Sequence, residues 1–392
     1  MNPEDYAIII GLQNYPGLRS LQGPENDARA FHEWIVSPTD GGVPNNKQHV
    51  RLILSSQYKP KSTDVGDARP VVRQIQQVFK GLLAIHRQNI NKGRGPRIGR
   101  RLYIYMAGHG ISPRGFDGVN QHESALLTSN YNPETGRVYH VPGAYTATWF
   151  SLNDCFDEVF LFMDCCRDDT FVRSVGAYLD NTGTADRAKR CYAFGTKWSQ
   201  RSREKSRADE KGAVRGIFTK TLLAGLRGAA AHPDPANAQQ SIVTVSTLKG
   251  YLYENMKRMA SATRQPDESG EIRSNLTITS DFDTQEPEVD YWPRTQEGRD
   301  ILIKTLPMVA IFPVRVVPQT GQSGRVQINR NFNNRSSRVT SNDQFDADWF
   351  IRLPRGMYYA TFEGNGQFLE ANFEVAGIEG VGGVPVTQVE FK

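Results

Sequence analysis

The chain has 392 residues and a formal net charge of +5, with 38% hydrophobic and 23% charged residues. This length suits two domains, with a core large enough to fold without disulfide bonds. No apolar run is long enough to span a membrane, and the N-terminus carries acids where a signal peptide needs basic residues. Because only four cysteines are present, we expect a cytoplasmic protein without a disulfide framework.

The first two-thirds of the chain alternates between strand and helix patterns. Short apolar runs rich in β-branched and aromatic residues predict strands at 6–12, 49–54, 101–107, 158–164 and 190–196. Apolar residues with a period near 3.6 predict helices at 28–35, 71–82, 218–226 and 245–259. Apolar strands separated by amphipathic helices are typical of an α/β fold whose mainly parallel sheet is covered by helices on both faces.

From about Met308 the pattern changes to short strands with no helices between them. Apolar residues alternate along 358–362 and 369–375, and the turn signal Gly-Asn365-Gly lies between these two runs. This pattern predicts a small antiparallel β-sandwich. We therefore expect an α/β domain over 1–285, an acidic linker over 286–305 and a β-sandwich accessory domain over 306–392.

Two predicted strands end in reactive side chains. The strand at 101–107 leads into Gly-His109-Gly, and the strand at 158–164 leads into Cys165 and Cys166. Parallel strands present their carboxyl ends at one edge of the sheet, so an imidazole and a thiol should meet there. A nearby imidazole can take the thiol proton and create a nucleophile. The flanking glycines let the backbone approach a substrate and aim an N–H at a developing oxyanion.

Each motif also has an ordinary explanation. Gly-His-Gly occurs in many surface loops, and a cysteine after a buried strand is more often an inert apolar residue. Zinc is disfavoured because no Cys-x-x-Cys pair exists and Cys155 and Cys191 have no histidine at ligand spacing. We expect no metal site and no other cofactor. The conjunction of His109 and Cys166 at the ends of two strands of one sheet favours catalysis.

The segments YMAGHG (105–110) and DCCR (164–167) resemble the caspase and metacaspase group of cysteine peptidases, peptidase family C14 of clan CD. The N-terminal sequence YAIIIGLQNYPGLRSLQGPENDARAF looks like the first strand, loop and helix of that fold, and RGIFTKTLLAGL is similar to its small-subunit helix. The resemblance covers roughly residues 5–280 and implies a caspase-like fold and endopeptidase activity. It does not cover the C-terminal sandwich.

The resemblance also implies which cysteine reacts. The nucleophile of the family is the third residue of Asp-x-Cys, which is Cys166 here, and His109 is its partner. The oxyanion hole would then form at Gly110 and Cys166. Because side chains alternate in direction along a strand, Cys165 should point into the core.

Two acids indicate the specificity that the resemblance implies. True caspases cleave after aspartate and use an arginine where this chain has Leu21, whereas Asp27 and Asp164 match acids of metacaspases and orthocaspases. Two carboxylates in one S1 pocket favour a guanidinium or an ammonium group, so we expect cleavage after Arg or Lys. Alternatively, Asp27 serves only the first turn of its helix. Pro24 and Ala107 replace a usual cysteine and a usual serine, which leaves the finer shape of the pocket open.

A basic segment at about 197–215 lies where related enzymes have an activation or self-processing loop. The candidate self-processing sites are Arg201, Arg203, Lys205 and Arg207. Nucleic-acid binding is disfavoured because Trp198 is the only aromatic residue near these charges.

The sequence thus predicts a cysteine endopeptidase that acts on proteins with Arg or Lys at the cleaved position, without a membrane partner. The resemblance implies a role in cell death or defence and does not assign a calcium requirement. The alternative is a catalytically silent caspase-like scaffold or sensor that binds partners through its C-terminal β domain.

Overall fold

A computed structural model describes residues 2–58, 62–114, 124–135, 139–173, 187–197, 214–234, 236–261, 286–307, 311–318, 321–332, 335–354, 356–375 and 387–391. The chain divides into two compact units, Met1–Lys220 with Gln265–Arg299 and Thr221–Arg264 with Asp300–Lys392. Each unit draws on two segments of the chain, whereas the domains predicted from the sequence are continuous. None of the helices in these ranges is long and apolar enough to cross a membrane.

The helices, in chain order, are α1 Pro24–Val36, α2 Val72–Asn91, α3 Gly143–Leu152, α4 Ile217–Ala224, α5 Val245–Ser261 and α6 Gln296–Arg299. The strands, in chain order, are β1 Asp5–Gly11, β2 Val50–Leu54, β3 Gly99–Gly108, β4 Gly110–Arg114, β5 Ala125–Leu127, β6 His140–Pro142, β7 Phe156–Cys165, β8 Asp168–Arg173, β9 Lys189–Phe194, β10 His232–Asp234, β11 Asn237–Thr244, β12 Glu288–Trp292, β13 Leu302–Pro307, β14 Ile311–Val317, β15 Gly324–Phe332, β16 Arg335–Phe345, β17 Trp349–Pro354, β18 Gly356–Gly364, β19 Gln367–Val375 and β20 Thr387–Glu390.

The main sheet has the strand order β12-β9-β7-β3-β1-β2. The five strands predicted in the first two-thirds of the chain all belong to it, and each pairs with its neighbours in parallel. Strand β12 adds an antiparallel edge beside β9. The predicted α/β architecture with a mainly parallel sheet is therefore confirmed.

Helices cover both faces of this sheet. On one face, Phe31 of α1 stacks on Tyr105 of β3 with ring centroids 4.6 Å apart. On the other face, Ile104 of β3 belongs to a buried cluster that contains Phe79 of α2 and Phe150 of α3. The central strands are buried on both sides, which explains why they appear in the sequence as continuous apolar runs.

Several elements of the first unit are not predicted by the sequence patterns. Helix α3 is buried at Thr146, Ala147, Trp149 and Phe150, so it lacks the polar stripe that marks an amphipathic helix. A second sheet, β6-β5-β4-β8, begins directly after β3 with short strands. Strand β12 lies inside the stretch 286–305, which the sequence analysis assigns to an acidic linker.

The second unit contains the predicted sandwich. Sheets β17-β14-β20 and β16-β15-β18-β19 share one buried cluster that includes Val314, Ile328 and Phe362. The hairpin β18–β19 turns through Asn365 and Gly366, both with positive φ, as its Asn-Gly sequence predicts. The sandwich is not wholly antiparallel, because β14 and β20 pair in parallel. A three-stranded sheet, β10-β11-β13, also belongs to this unit.

Candidate active site

The candidate active site lies where β3 and β7 end side by side. Gly108, the last residue of β3, is opposite Cys165, the last residue of β7. On the other side of His109 and Cys166, Ile111 of β4 is opposite Asp168 of β8. The two paired residues are separated by the same number of positions along the chain as Gly108 and Cys165 are. His109 and Cys166 therefore lie next to each other in one register, between two parallel ladders.

Two glycines make this approach of the backbones sterically feasible. Gly108 has a φ of +152°, and a Cβ there would lie 2.5 Å from the Tyr15 hydroxyl oxygen. A Cβ on Gly110 would lie 2.5 Å from both Cys165 Cβ and the Cys166 carbonyl oxygen. Both distances are far below van der Waals contact, so only glycine fits at position 108 beside Tyr15 and at position 110 against Cys165 and Cys166.

The His109 side chain is held by the loop between β1 and α1. Its Nε2 lies 2.7 Å from the carbonyl oxygen of Arg19, and its backbone N–H donates to the Tyr15 hydroxyl at 3.2 Å. A carbonyl can only accept, so Nε2 carries the proton in the neutral imidazole. Nδ1 is then left as the basic nitrogen.

The two adjacent cysteines lie in different environments. Cys165 is 2% exposed, and its Sγ donates to the Met106 carbonyl oxygen at 3.6 Å. Burial, together with the charge of Asp164, raises the pKa of the Cys165 thiol well above its usual value. Cys166 is only partly buried. The predicted inward orientation of Cys165 is confirmed, and Cys166 is the accessible thiol of the pair.

The residue after Cys166 ties the candidate site to β12. Arg167 is 1% exposed, and its Nη1 donates to Glu288 Oε2 at 2.6 Å. Its guanidinium lies over the Phe194 ring, 4.2 Å from the centroid. The sequence patterns do not predict this support, because Glu288 lies in the acidic stretch 286–305 that is typical of a linker.

The two predicted S1 acids are brought together around the first turn of α4. Gly216 donates its N–H to Asp27 Oδ2 at 2.8 Å, and a Cβ at this position would collide with Asp164 Oδ2. The Thr219 hydroxyl donates to the same Asp164 oxygen at 2.7 Å. Asp27 and Asp164 therefore form a carboxylate pair that also anchors the N-terminus of α4. Thr219 is a member of this site that the sequence analysis did not name.

Asp27 already has a basic partner from its own chain. Arg215 donates from Nε to Asp27 Oδ1 at 3.2 Å. Burial and the nearby charge of Asp164 raise the pKa of the Asp27 carboxyl well above its usual value, and the Gly216 N–H and Arg215 oppose this shift. Asp27 thus accepts a hydrogen bond from a guanidinium group of its own chain.

A second cysteine–histidine contact has different chemistry. Cys155 Sγ lies 3.3 Å from His86 Nδ1, but that nitrogen is also 2.8 Å from the Pro96 carbonyl oxygen, to which it must donate. Burial raises the pKa of the Cys155 thiol to about 12. This nitrogen cannot act as a base toward the thiol, so the contact is structural.

The candidate self-processing residues Arg201, Arg203, Lys205 and Arg207 lie outside the described residues. Within the described ranges, no group of three or more His, Cys, Asp or Glu side chains is arranged to hold a metal ion.

Comparison with known proteins finds similarity in sequence to a curated protein. No family model matches the chain. A curated protein from a Desulfuromonadales bacterium, described as a probable protease, is 25% identical over 237 residues. The chain is similar to a probable protease. The matched stretch covers 57% of this chain and 26% of the length of that relative. The chain thus matches about a quarter of the curated protein.

Solved structures with a similar chain path include caspase-1 from Spodoptera frugiperda, at 12% identity and a TM-score of 0.41. That match covers 74% of this chain and 86% of the insect protein. A protein from Geobacter sulfurreducens matches at 12% identity and a TM-score of 0.40, over 78% of this chain and 100% of its own.

Proposed function

We propose that the chain is a caspase-like cysteine endopeptidase in which Cys166 is the nucleophile and His109 is its base. The observation that carries the proposal is the common register of the β3/β7 and β4/β8 ladders around these two residues. The partly buried state of Cys166 and the burial of Cys165 support the choice of sulfur. The relative described as a probable protease supports a peptidase.

In the proposed reaction, His109 Nδ1 takes the proton of Cys166, and Sγ attacks the scissile carbonyl carbon. The resulting imidazolium protonates the leaving amine as the C–N bond breaks, which gives a thioester on Cys166. A water molecule then attacks the thioester, gives its proton to His109, and releases the acid product as Sγ leaves. The hydrogen bond of His109 Nε2 to the Arg19 carbonyl supports this direction of proton transfer.

The proposed oxyanion hole consists of the backbone N–H groups of Gly110 and Cys166. Leu127 donates its N–H to the His109 carbonyl oxygen, and Gly110 is opposite Leu126 in the β4/β5 ladder. In an antiparallel ladder with this pattern, the N–H of Gly110 points away from β5. Gly110 also contacts the Cys166 backbone, which supports a hole at this position.

We propose that the carboxylate pair recognises Arg or Lys at the cleaved position. Asp27 is 2% exposed and already accepts a guanidinium N–H from Arg215. Charge-assisted hydrogen bonds to a carboxylate are about twice as strong as neutral ones, whereas an aspartate in the same place would be repelled.

On the resemblance, we propose self-processing in the basic segment 197–215 and action in a cell-death or defence pathway. The cytoplasmic location is proposed on the small number of cysteines. The C-terminal sandwich, which the resemblance does not cover, is proposed to bind partners. The proposed chemistry requires no metal. Cleavage assays with added calcium and with a chelator test whether the activity depends on one.

A peptide library with every residue at the cleaved position tests the proposal. We expect the wild type to cleave after Arg and Lys, and Cys166→Ala and His109→Ala to be inactive but folded. Mass spectrometry of incubated protein should give fragments that end at Arg201, Arg203, Lys205 or Arg207 in the wild type alone. A folded wild type that cleaves no member and does not react with an arginyl chloromethyl ketone would instead be a scaffold.

A further inference from the structure

The loop between β1 and α1 encloses His109 on two sides. Tyr15 in this loop is fully buried, at 0% exposure. Its hydroxyl accepts the His109 N–H at 3.2 Å and donates to the Leu127 carbonyl oxygen at 3.2 Å. Its ring meets the imidazole edge-on, with centroids 4.8 Å apart and an interplanar angle of 70°. One side chain thus contacts both the backbone and the ring of His109.

The Tyr15 side chain is itself fixed. The Tyr15 N–H donates to Ser20 Oγ at 3.1 Å, and the Tyr15 carbonyl oxygen accepts the Leu18 N–H at 3.0 Å. These bonds close a tight turn that also presents the Arg19 carbonyl to His109 Nε2. Gly108 leaves the space that the hydroxyl occupies, because a Cβ there would lie 2.5 Å from it.

We infer that Tyr15 is a positioning residue that fixes the His109 imidazole for proton exchange with Cys166. The inference rests on the proposed function of His109. The ring contact restricts rotation of the imidazole, and the hydroxyl fixes the backbone from which the imidazole extends. Orientation of a base within a few tenths of an ångström decides how well it transfers a proton, so loss of the hydroxyl should reduce the chemical step more than substrate binding.

The test compares two buried tyrosines. Tyr15→Phe removes the hydroxyl beside His109. Tyr103→Phe removes a hydroxyl that accepts from Arg101 Nη1 at 3.3 Å and belongs to the same strand as the site but not to the site itself. For each variant, the melting temperature, kcat and KM for an Arg peptide, and the rate of Cys166 alkylation by iodoacetamide between pH 5 and pH 9 would be measured.

We expect Tyr15→Phe to lower kcat by about 10- to 100-fold with little change in KM. The pH dependence of its Cys166 alkylation rate should move towards that of His109→Ala, in which no imidazole is present to take the thiol proton. Tyr103→Phe should keep the wild-type pH profile of alkylation, although its melting temperature should fall about as much as that of Tyr15→Phe. If Tyr15→Phe does not fold, Ser20→Ala, which loosens the exposed end of the same turn, should give a smaller shift in the same direction.

A folded Tyr15→Phe with the kcat and pH profile of Tyr103→Phe would overturn the positioning role and leave the proposed peptidase intact. If wild-type Cys166 and the His109→Ala variant are alkylated with the same pH profile, the proposed function fails, and the role of Tyr15 fails with it.

Discussion

Arg215 donates from Nε to Asp27 Oδ1 across 3.2 Å, so the chain places its own guanidinium on one of the two acids proposed to recognise the substrate. The Arg215 side chain keeps 18% exposure. Its Nη2 is buried and has no hydrogen-bond partner in the part of the chain that the structure describes. Under the proposed specificity, a substrate arginine would compete with Arg215 for Asp27.

Removal of Arg215 should increase the affinity for basic ligands. In a Cys166→Ala background, Arg215→Ala should bind benzamidine about tenfold more tightly, because a charged hydrogen bond no longer has to be broken first. Isothermal titration calorimetry measures this change. Arg29→Ala is the control, since the exposed Arg29 side chain forms an ion pair with Glu25 at 3.8 Å. Weaker binding in Arg215→Ala would mean that Arg215 helps to build the pocket.

Asp27 should make stability depend on pH. Burial, with the charge of Asp164, raises the pKa of the Asp27 carboxyl in the folded protein. The folded state then binds more protons than the unfolded state once the pH exceeds the usual aspartate pKa, so the free energy of unfolding should fall as pH rises through the raised pKa. Between pH 4 and pH 8, the free energy of unfolding of Asp27→Asn should fall less than that of the wild type, as measured by urea titrations. Asp157→Asn, at an exposed ion pair, should follow the wild type. Equal pH slopes for Asp27→Asn and the wild type would contradict a raised pKa.

Alkylation should distinguish the four cysteines. Cys155, Cys165 and Cys191 are buried, whereas Cys166 is partly exposed. Iodoacetamide at neutral pH should therefore label Cys166 in the native protein and spare the other three, as read by peptide mass spectrometry. Cys165→Ala should keep most of the peptidase activity. Labelling of Cys165 in native protein, or loss of activity in a folded Cys165→Ala, would shift the nucleophile by one residue.

Two glycine substitutions should have opposite effects. Gly110→Ala puts a Cβ into the Cys165–Cys166 backbone, so it should lower the free energy of unfolding by about 1–3 kcal/mol and reduce kcat/KM at least about tenfold. Gly81→Ala lies within α2 with nothing within 4 Å of the new Cβ, and it should stabilise the protein by about 0.5–1 kcal/mol. Urea denaturation and the Arg-peptide assay measure both effects. Full activity in Gly110→Ala would show that the His109 and Cys166 loops do not need this close contact.

The main sheet could be predicted because its signals are local. Each of β1, β3 and β7 is a continuous apolar run, since both faces of a covered parallel strand are buried. Elements without a local signal were missed. Helix α3 is buried on several faces, β16 is polar, and β12 lies in an acidic stretch that pairs with β9 only in the folded chain.

The sequence by itself predicted that His109 and Cys166 follow two strands of one parallel sheet, because both strands are continuous apolar runs and parallel strands share a carboxyl edge. That these two strands are direct neighbours is a property of the tertiary structure. Only the tertiary structure decided what surrounds His109 and Cys166. Tyr15 reaches His109 across 94 residues of chain, and Arg215 reaches Asp27 across 188. Contacts at such separation leave no periodicity in the sequence, since they depend on how packed helices and loops orient individual side chains.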